Sequence, residues 1–407
     1  MSGQAIEGAK REFFPQLTSV RFFAALIVIL YHYNKEFSPY LPTPIQNFIE
    51  HGYIGVSFFF VLSGFILAAN YYERLLNKTV SKADFWWARF SRIYPLYLVS
   101  ILIVLPRYFI PQSMDPLPQQ WIYAHAHPFE LVAVVVFALQ SLAFPSGAFF
   151  NSPAWSISTE IFFYLCLPFL LPLIKRITTR QLMIALVVLL LWAVIGPYCY
   201  HEQIFTVNVP KLGITYTGPV DFFLNQFVRM SFITRLPEFL SGVIGYRIYK
   251  EVLVGRKTPW LLPFVILTAI PFFGLMLYEP GDNILNTVLY TGQVLGIPFF
   301  VFVILWLIQS QSRVVQIFKH PRWVLMGEAS FALYLFHIPI KNAGQLIMSH
   351  FLHRDKNNVG LCLALIAVSI LSSIVLFHWV ETPCRKWLTN WRKQRKAIVG
   401  AQASPPV

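Results

Sequence analysis

Long apolar runs, cut by short polar segments that carry the cations, set the pattern of this chain. Runs near the twenty residues that cross a bilayer as one helix fall at about 17–37, 53–72, 85–105, 155–174, 181–200, 231–249, 260–278, 286–308, 323–349 and 360–380. Another run, about 129–144, is short and closes on Pro145, and reads either as a span or as a re-entrant or partial helix. No repeat of 20–50 residues is visible, and no polar stretch is long enough for a soluble domain. The pattern predicts an all-α integral membrane protein of about ten transmembrane helices. Residues 1–16 form an N-terminal segment, 17–387 one transmembrane domain, and 388–407 a basic tail.

Composition strengthens this. Of 407 residues, 56% are apolar and 12% charged, against roughly 45–50% and 25% in an average soluble domain. Such a chain cannot clothe a soluble globule, and it is far from the composition of a disordered one. Its net charge of +14 would raise the question of nucleic acid in a soluble protein. Here the cations gather in short loops and at the ends, as cytoplasmic membrane flanks do, and no nucleic-acid module accompanies them. If 129–144 does not cross, then Lys10 and Arg11, the group from Arg74 to Arg92, Lys175 to Arg180, Arg247 to Lys257, Arg313 to Arg322 and Arg385 to Lys396 share one side. That bias predicts both termini in the cytoplasm. The four cysteines are scattered without a CxxC pair, so neither a disulfide framework nor a zinc site is expected. His125–His127 and His350–His353 lack a third ligand and read as solvated loops, so no metal is expected. The run from Leu17 lacks a small-residue cleavage pattern and reads as a retained anchor.

Charged side chains at bilayer depth cost at least about 2.5–3.5 kcal/mol on insertion scales, so each is a functional candidate. Arg21 and His32 lie eleven residues apart on the first run. That spacing is about 20° beyond three full turns, with about 16 Å of rise, so the two share a face at different depths. Histidine has the unperturbed pKa suited to proton transfer near neutrality. Ser63 sits mid-run beside Gly64, without the GxSxG elbow of a nucleophilic serine, and close packing is the commoner use of such small residues. Arg89 and Arg92 project from one side of the entry to the third helix; two guanidiniums so placed suit a phosphate-bearing ligand. Glu160 lies at a depth like that of His32 and is positioned to orient that ring or balance its charge. Arg235 and Glu238 are three apart, the spacing of a local ion pair. Tyr334 and His337 lie deep in the ninth run, with Glu328 and Glu381 near inner ends.

These blocks, taken in order, resemble the acyltransferase-3 family of membrane O-acyltransferases, over about Leu17 to Trp387. Arg21, ten residues and His32 match its first-helix signature. GVSFFFVLSGFIL from Gly55, the Arg89–Arg92 block, WSISTEIFFY from Trp155, RLPEFLSGVIG from Arg235, ASFALYLFHIP from Ala329 and VETP from Val380 follow in family order. Each is soft alone, but seven in sequence are specific. Phe331 stands where the family usually has Tyr, and the chain reads as a member without a fused hydrolase-like domain. The resemblance implies transfer of an acyl group, most often acetyl, from cytoplasmic acyl-CoA to a hydroxyl of a sugar, polysaccharide or lipid-linked glycan. It places acyl-CoA phosphates near Arg89, Arg92 and Arg21, and gives His32, with Glu160 beside it, the part of general base or transient acyl carrier. Ser63, Arg235, Glu238, Tyr334 and His337 would line the site. A bacterial cytoplasmic membrane is the implied location, and acyl-CoA is a co-substrate rather than a resident cofactor.

Two other classes compete. A proton-coupled transporter or flippase of a lipid-linked sugar could line its path with Arg21, Glu160 and His32, although no inverted repeats or paired broken helices are visible. A polytopic glycosyltransferase would show an external catalytic carboxylate, and Asp115, Asp221 and Asp282 have no convincing partner. Trp121, Tyr123, Tyr216 and Phe222 of the outer loops suit sugar stacking as well as the membrane interface.

Overall fold

Each of the ten predicted runs contains a helix. A computed structural model describes residues 12–105, 128–142, 151–201, 229–277, 293–351 and 358–402, and among these no strand occurs. The long helices are α1 (Pro15–His32), α2 (Ile54–Leu76), α3 (Lys82–Val104), α4 (Ala154–Arg176), α5 (Thr179–His201), α6 (Phe232–Ile248), α7 (Leu261–Leu277), α8 (Gln293–Gln309), α9 (Pro321–Leu346) and α10 (Val359–Leu376), followed by α11 (Thr382–Gln402), with short helices at Asn34–Phe37, Thr43–Glu50 and Arg313–Phe318 between them. Six described helices are long and apolar enough to cross a membrane, and α5, α7 and α8 contribute shorter apolar segments. α5 turns Met183, Ile184, Val187, Val188 and Leu191 outward, an apolar face that only lipid or another apolar surface would cover without cost. The chain is a multi-pass membrane protein.

α2 lies at the centre, packed against α6, α8, α1 and α4. Its crossing with α6 is close because Gly64 and Gly242 meet the opposite backbone reciprocally: a Cβ on Gly64 would strike the Phe239 carbonyl, and one on Gly242 the Val61 carbonyl. This is small-residue packing of the kind that brings membrane helices together. α9 packs on α1 and α10, and Gly327 sits against the Thr18 backbone at the first of these contacts.

The segment after residue 128 forms only the nine-residue helix Pro128–Val136. At about 1.5 Å per residue this is far short of the roughly 30 Å hydrocarbon core. Its end is tied to the protein by tyrosine hydroxyls: Tyr94 donates to Val136 O at 2.9 Å, and Tyr97 donates at 2.5 Å to Val135 O, which also accepts the Ala138 N–H at 3.1 Å. Irregular backbone at membrane depth survives where protein satisfies it in this way, so a partial helix is what forms.

The first run was expected to stay helical to residue 37, but α1 stops at His32. The free carbonyls of a helix end need donors. Lys341 Nζ of α9 supplies one, reaching His32 O at 2.5 Å. The basic tail is also structured: Trp87 Nε1 donates to Leu388 O at 3.0 Å, the Trp87 and Trp391 rings stack, and Asp84 pairs with Arg392 and Lys396. α11 thereby lies against the start of α3.

Candidate active site

α1, α2, α3, α4 and α9 converge on an internal cavity of about 800 Å³, its open mouth included. Its polar lining includes Arg21, Arg89 and Arg92 together with Ser63, Ser156, Glu160, Tyr164, Ser330 and Tyr334. Five separate stretches of chain thus place predicted residues around one space.

The three guanidiniums differ in how they are held. Arg89 donates to the Tyr71 hydroxyl at 3.1 Å and lies 5.2 Å from that ring's centroid, with its Nε buried and unpartnered. Arg21 and Arg92 make no hydrogen bond and no close ion pair among the described residues, although both line the cavity. Each guanidinium carries five N–H donors, so those of Arg21 and Arg92 are available to whatever occupies the cavity. The nearest anionic groups act through space. Glu160 and Glu381 are within electrostatic reach of Arg21, and Glu381 within reach of Arg92 and Arg385. Glu381 is 2% exposed and ends a π-helical turn, Phe377–Glu381; such turns recur at functional sites.

Glu160 is fixed from two sides. Ser63 Oγ donates to its Oε1 at 2.7 Å, and the Tyr164 hydroxyl, one turn further along α4, donates to the same oxygen. Ser63 is therefore a hydrogen-bonding neighbour of the carboxylate as well as part of the α2 packing surface. Glu160 makes no hydrogen bond to the His32 ring, so the expected orienting contact between them is absent in this structure. Its negative charge is instead directed to the arginine side of the cavity. Tyr164, Ser156 and Tyr71 carry out polar work that sequence reading passed over. Tyr164 and Ser156 lie four residues either side of Glu160, so helical spacing alone would have placed all three on one face.

His32 stands beyond the cavity lining. It ends α1, half-buried, with its ring 5.1 Å from that of His337. Tyr334 connects the two places: it lines the cavity, shares a hydrogen bond with Ser156 at 2.8 Å, and has its ring 6.0 Å from His337. Tyr334, His337 and Lys341 lie at helical spacing on one face of α9. Lys341, besides holding His32 O, pairs with Glu36 at 2.8 Å, and Gln345 donates to the same Glu36 oxygen at 3.0 Å. Neither Lys341 nor Glu36 was singled out from the sequence, though both fall inside predicted spans.

Arg235 and Glu238 lie elsewhere in function. They are 4% and 0% exposed and pair at 3.0 Å, while Arg235 also donates to Arg229 O and Ser57 Oγ. The local ion pair expected from the spacing is what forms, and neither residue lines the cavity. Among the described residues no three His, Cys, Asp or Glu side chains gather to hold a metal. The outer-loop aromatics Trp121, Tyr123, Tyr216 and Phe222, the loop aspartates Asp115, Asp221 and Asp282, and the His125–His127 pair lie outside the described residues.

A multi-helix membrane bundle with arginines and a carboxylate about one cavity, and a histidine pair beyond it, defines a class, and comparison with known proteins gives it a family. The acyltransferase domain model of the acyltransferase-3 family matches residues 14–378. The chain belongs to that family and is a membrane acyltransferase. It is 28% identical to the acyltransferase MdmB of Streptomyces mycarofaciens over 391 residues, 93% of each chain. It is 26% identical to the peptidoglycan O-acetyltransferase OatA of Listeria monocytogenes over 92% of this chain and 56% of that one. Against the O-acetyltransferase OatA of Staphylococcus aureus it is 22% identical, over 92% of this chain and 57% of that one. It therefore spans nearly all of the first relative and little more than half of the other two. No solved structure matches.

Proposed function

We propose that the protein moves an acyl group, acetyl in the first instance, from cytoplasmic acyl-CoA to a hydroxyl of a sugar, polysaccharide or lipid-linked glycan. The OatA relatives are named as O-acetyltransferases, which supports an oxygen acceptor and an acetyl donor. The single observation behind the donor is the pair of guanidiniums, Arg21 and Arg92, that line the cavity without a hydrogen-bonding partner. Phosphates are the anions that such groups bind bidentately, and coenzyme A carries several.

In this scheme Arg21, Arg89 and Arg92 hold the phosphates, and the thioester extends past Tyr334 toward His32. His32 takes the proton of the acceptor hydroxyl as that oxygen attacks the thioester carbonyl. The carbon–oxygen bond forms, the carbon–sulfur bond breaks, and the thiolate leaves with the proton that His32 returns. A sugar hydroxyl is a poor nucleophile until a base takes its proton, which is why the step needs a positioned imidazole. An alternative order, in which His32 carries the acyl group before the acceptor attacks, uses the same residues. Glu160, held by Ser63 and Tyr164, serves as the fixed counter-charge to Arg21. The protein sits in the bacterial cytoplasmic membrane with both ends inside.

The experiment is acyl-CoA binding and turnover by purified protein, with His32→Ala beside the wild type. Removing a general base lowers turnover by roughly 10²–10⁴-fold, so His32→Ala should bind acyl-CoA normally and transfer almost none. Wild-type transfer by His32→Ala would overturn the role given to His32. Failure of folded wild type to bind acyl-CoA would overturn the donor and favour transport of a lipid-linked sugar.

A further inference from the structure

The two imidazoles at the end of α1 are arranged unequally. His337 is fully buried, and its Nδ1 lies 2.7 Å from the Tyr334 carbonyl oxygen. A carbonyl only accepts, so in the neutral ring Nδ1 carries the proton and Nε2 the lone pair. That Nε2 is buried with no partner, a condition native interiors seldom leave unexplained. The ring beside it is that of His32, at 5.1 Å between centroids and 43° between planes. The His32 nitrogens themselves make no hydrogen bond to any described residue, and no carboxylate bonds to either ring.

The surroundings hold this pair in place. Lys341, one turn beyond His337 on α9, grips the His32 carbonyl, so the two rings ride on helices tied together at this point. The ammonium charge of Lys341 is answered by Glu36, 5% exposed, at 2.8 Å. Arg229 and Lys341 both lie within electrostatic reach of the His32 ring.

We propose that His337 is the positioning residue for His32, accepting the N–H of His32 on its bare Nε2. One His32 nitrogen is thereby committed as donor, and the other is left with its lone pair to take the acceptor hydroxyl's proton. His337 fills the place that a carboxylate or backbone carbonyl takes beside other catalytic or metal-binding histidines. During turnover the proton enters the free nitrogen of His32, the resulting imidazolium keeps its hydrogen bond to His337, and the same proton leaves with the coenzyme A thiolate. This assignment rests on the reading of His32 as base.

Its test compares His337→Leu, which has no acceptor, with His337→Gln, whose amide oxygen stands near the position of Nε2. Removing an orienting partner of this kind costs about 10–100-fold in activity. His337→Leu should lose turnover by that factor with the KM for acetyl-CoA unchanged, and His337→Gln should regain most of it. A second measurement is independent of turnover: ¹⁵N spectra of histidine-labelled protein should show one hydrogen-bonded N–H on His32 in the wild type. That signature should be lost in His337→Leu and kept in His337→Gln. Equal losses in both variants, full turnover in His337→Leu, or a His32 spectrum indifferent to residue 337 would each overturn the assignment. If the wild type turned over no acyl-CoA, the acyltransfer scheme would fall, while the spectra would still decide whether His337 accepts from His32. Should His337→Leu fail to fold, the wild type and His337→Gln spectra decide alone.

Discussion

Arg235 and Arg92 are both arginines inside a membrane helix bundle, and they differ in what answers them. Arg235, 4% exposed, donates to Glu238, Ser57 and the Arg229 carbonyl. Arg92, with Arg21, faces an open cavity and bonds to nothing described. A charge paired inside the protein joins α6 to the neighbouring α2; one without a bonded partner waits for a ligand. In the sequence the two look alike, since both are single charges in apolar runs. What separates a staple from a binding site is the count of donors left over once the helices have packed.

The comparison can be broken most severely at the staple. Replacing Arg235 with Ala leaves Glu238 buried at 0% exposure without its partner, and breaking such a pair costs about 3–5 kcal/mol. Thermal unfolding in detergent should show a large loss of stability, and whatever protein survives should bind acyl-CoA with wild-type affinity. The opposite profile is expected at the cavity. Arg92→Ala removes a guanidinium that makes no hydrogen bond to a described residue and leaves Arg21 and Arg385 within reach of Glu381, so its melting temperature should fall far less than that of Arg235→Ala. Each lost charge-assisted bond to a phosphate is worth about 1.5–3 kcal/mol, so acyl-CoA binding measured by calorimetry should weaken by about ten- to a hundredfold. Parallel losses of stability in both variants would erase the distinction. The smallest effect lies at the surface, where Asp84 pairs with Arg392 and Lys396, the latter 57% exposed. Exposed pairs contribute about 0–1 kcal/mol and are screened by salt. Asp84→Ala should therefore shift the unfolding midpoint slightly, and not at all in high salt.

Much of this arrangement was legible in the chain. The ten helices follow from apolar runs of spanning length, whereas the run near 129–144 reads equally as a span or a re-entrant piece, and the nine-residue helix Pro128–Val136 decides it. The i,i+3 spacing of Arg235 and Glu238 predicted their pair. Arg21, Ser63, Arg89, Arg92 and Glu160 were each recognisable as polar groups out of place, and the cavity gathers all of them. Depth was the weaker guide. Glu160 and His32 were matched because they lie equally far from their helix ends, yet Glu160 turns to Ser63 and Tyr164, and His32 to His337. Depth fixes height in the membrane and leaves the rotation of each helix about its axis open. Lys341 and Glu36 went unnoticed because each reads as the frayed polar end of a span, while their pairing joins residues some 300 positions apart.

By itself the sequence determined the class of protein, the number and order of its helices, and the set of polar side chains that the apolar interior must account for. Those properties depend on local composition and on periodicity along one helix, which a linear reading contains. The tertiary structure decided the partners: which arginine is answered and which is left open, that Glu160 faces the arginines, and that His32 meets a second imidazole. Partnership depends on how helices distant in the chain rotate and cross, and those angles are set by contacts such as Gly64 against Phe239 and Gly242 against Val61, where the absence of a side chain lets two backbones touch.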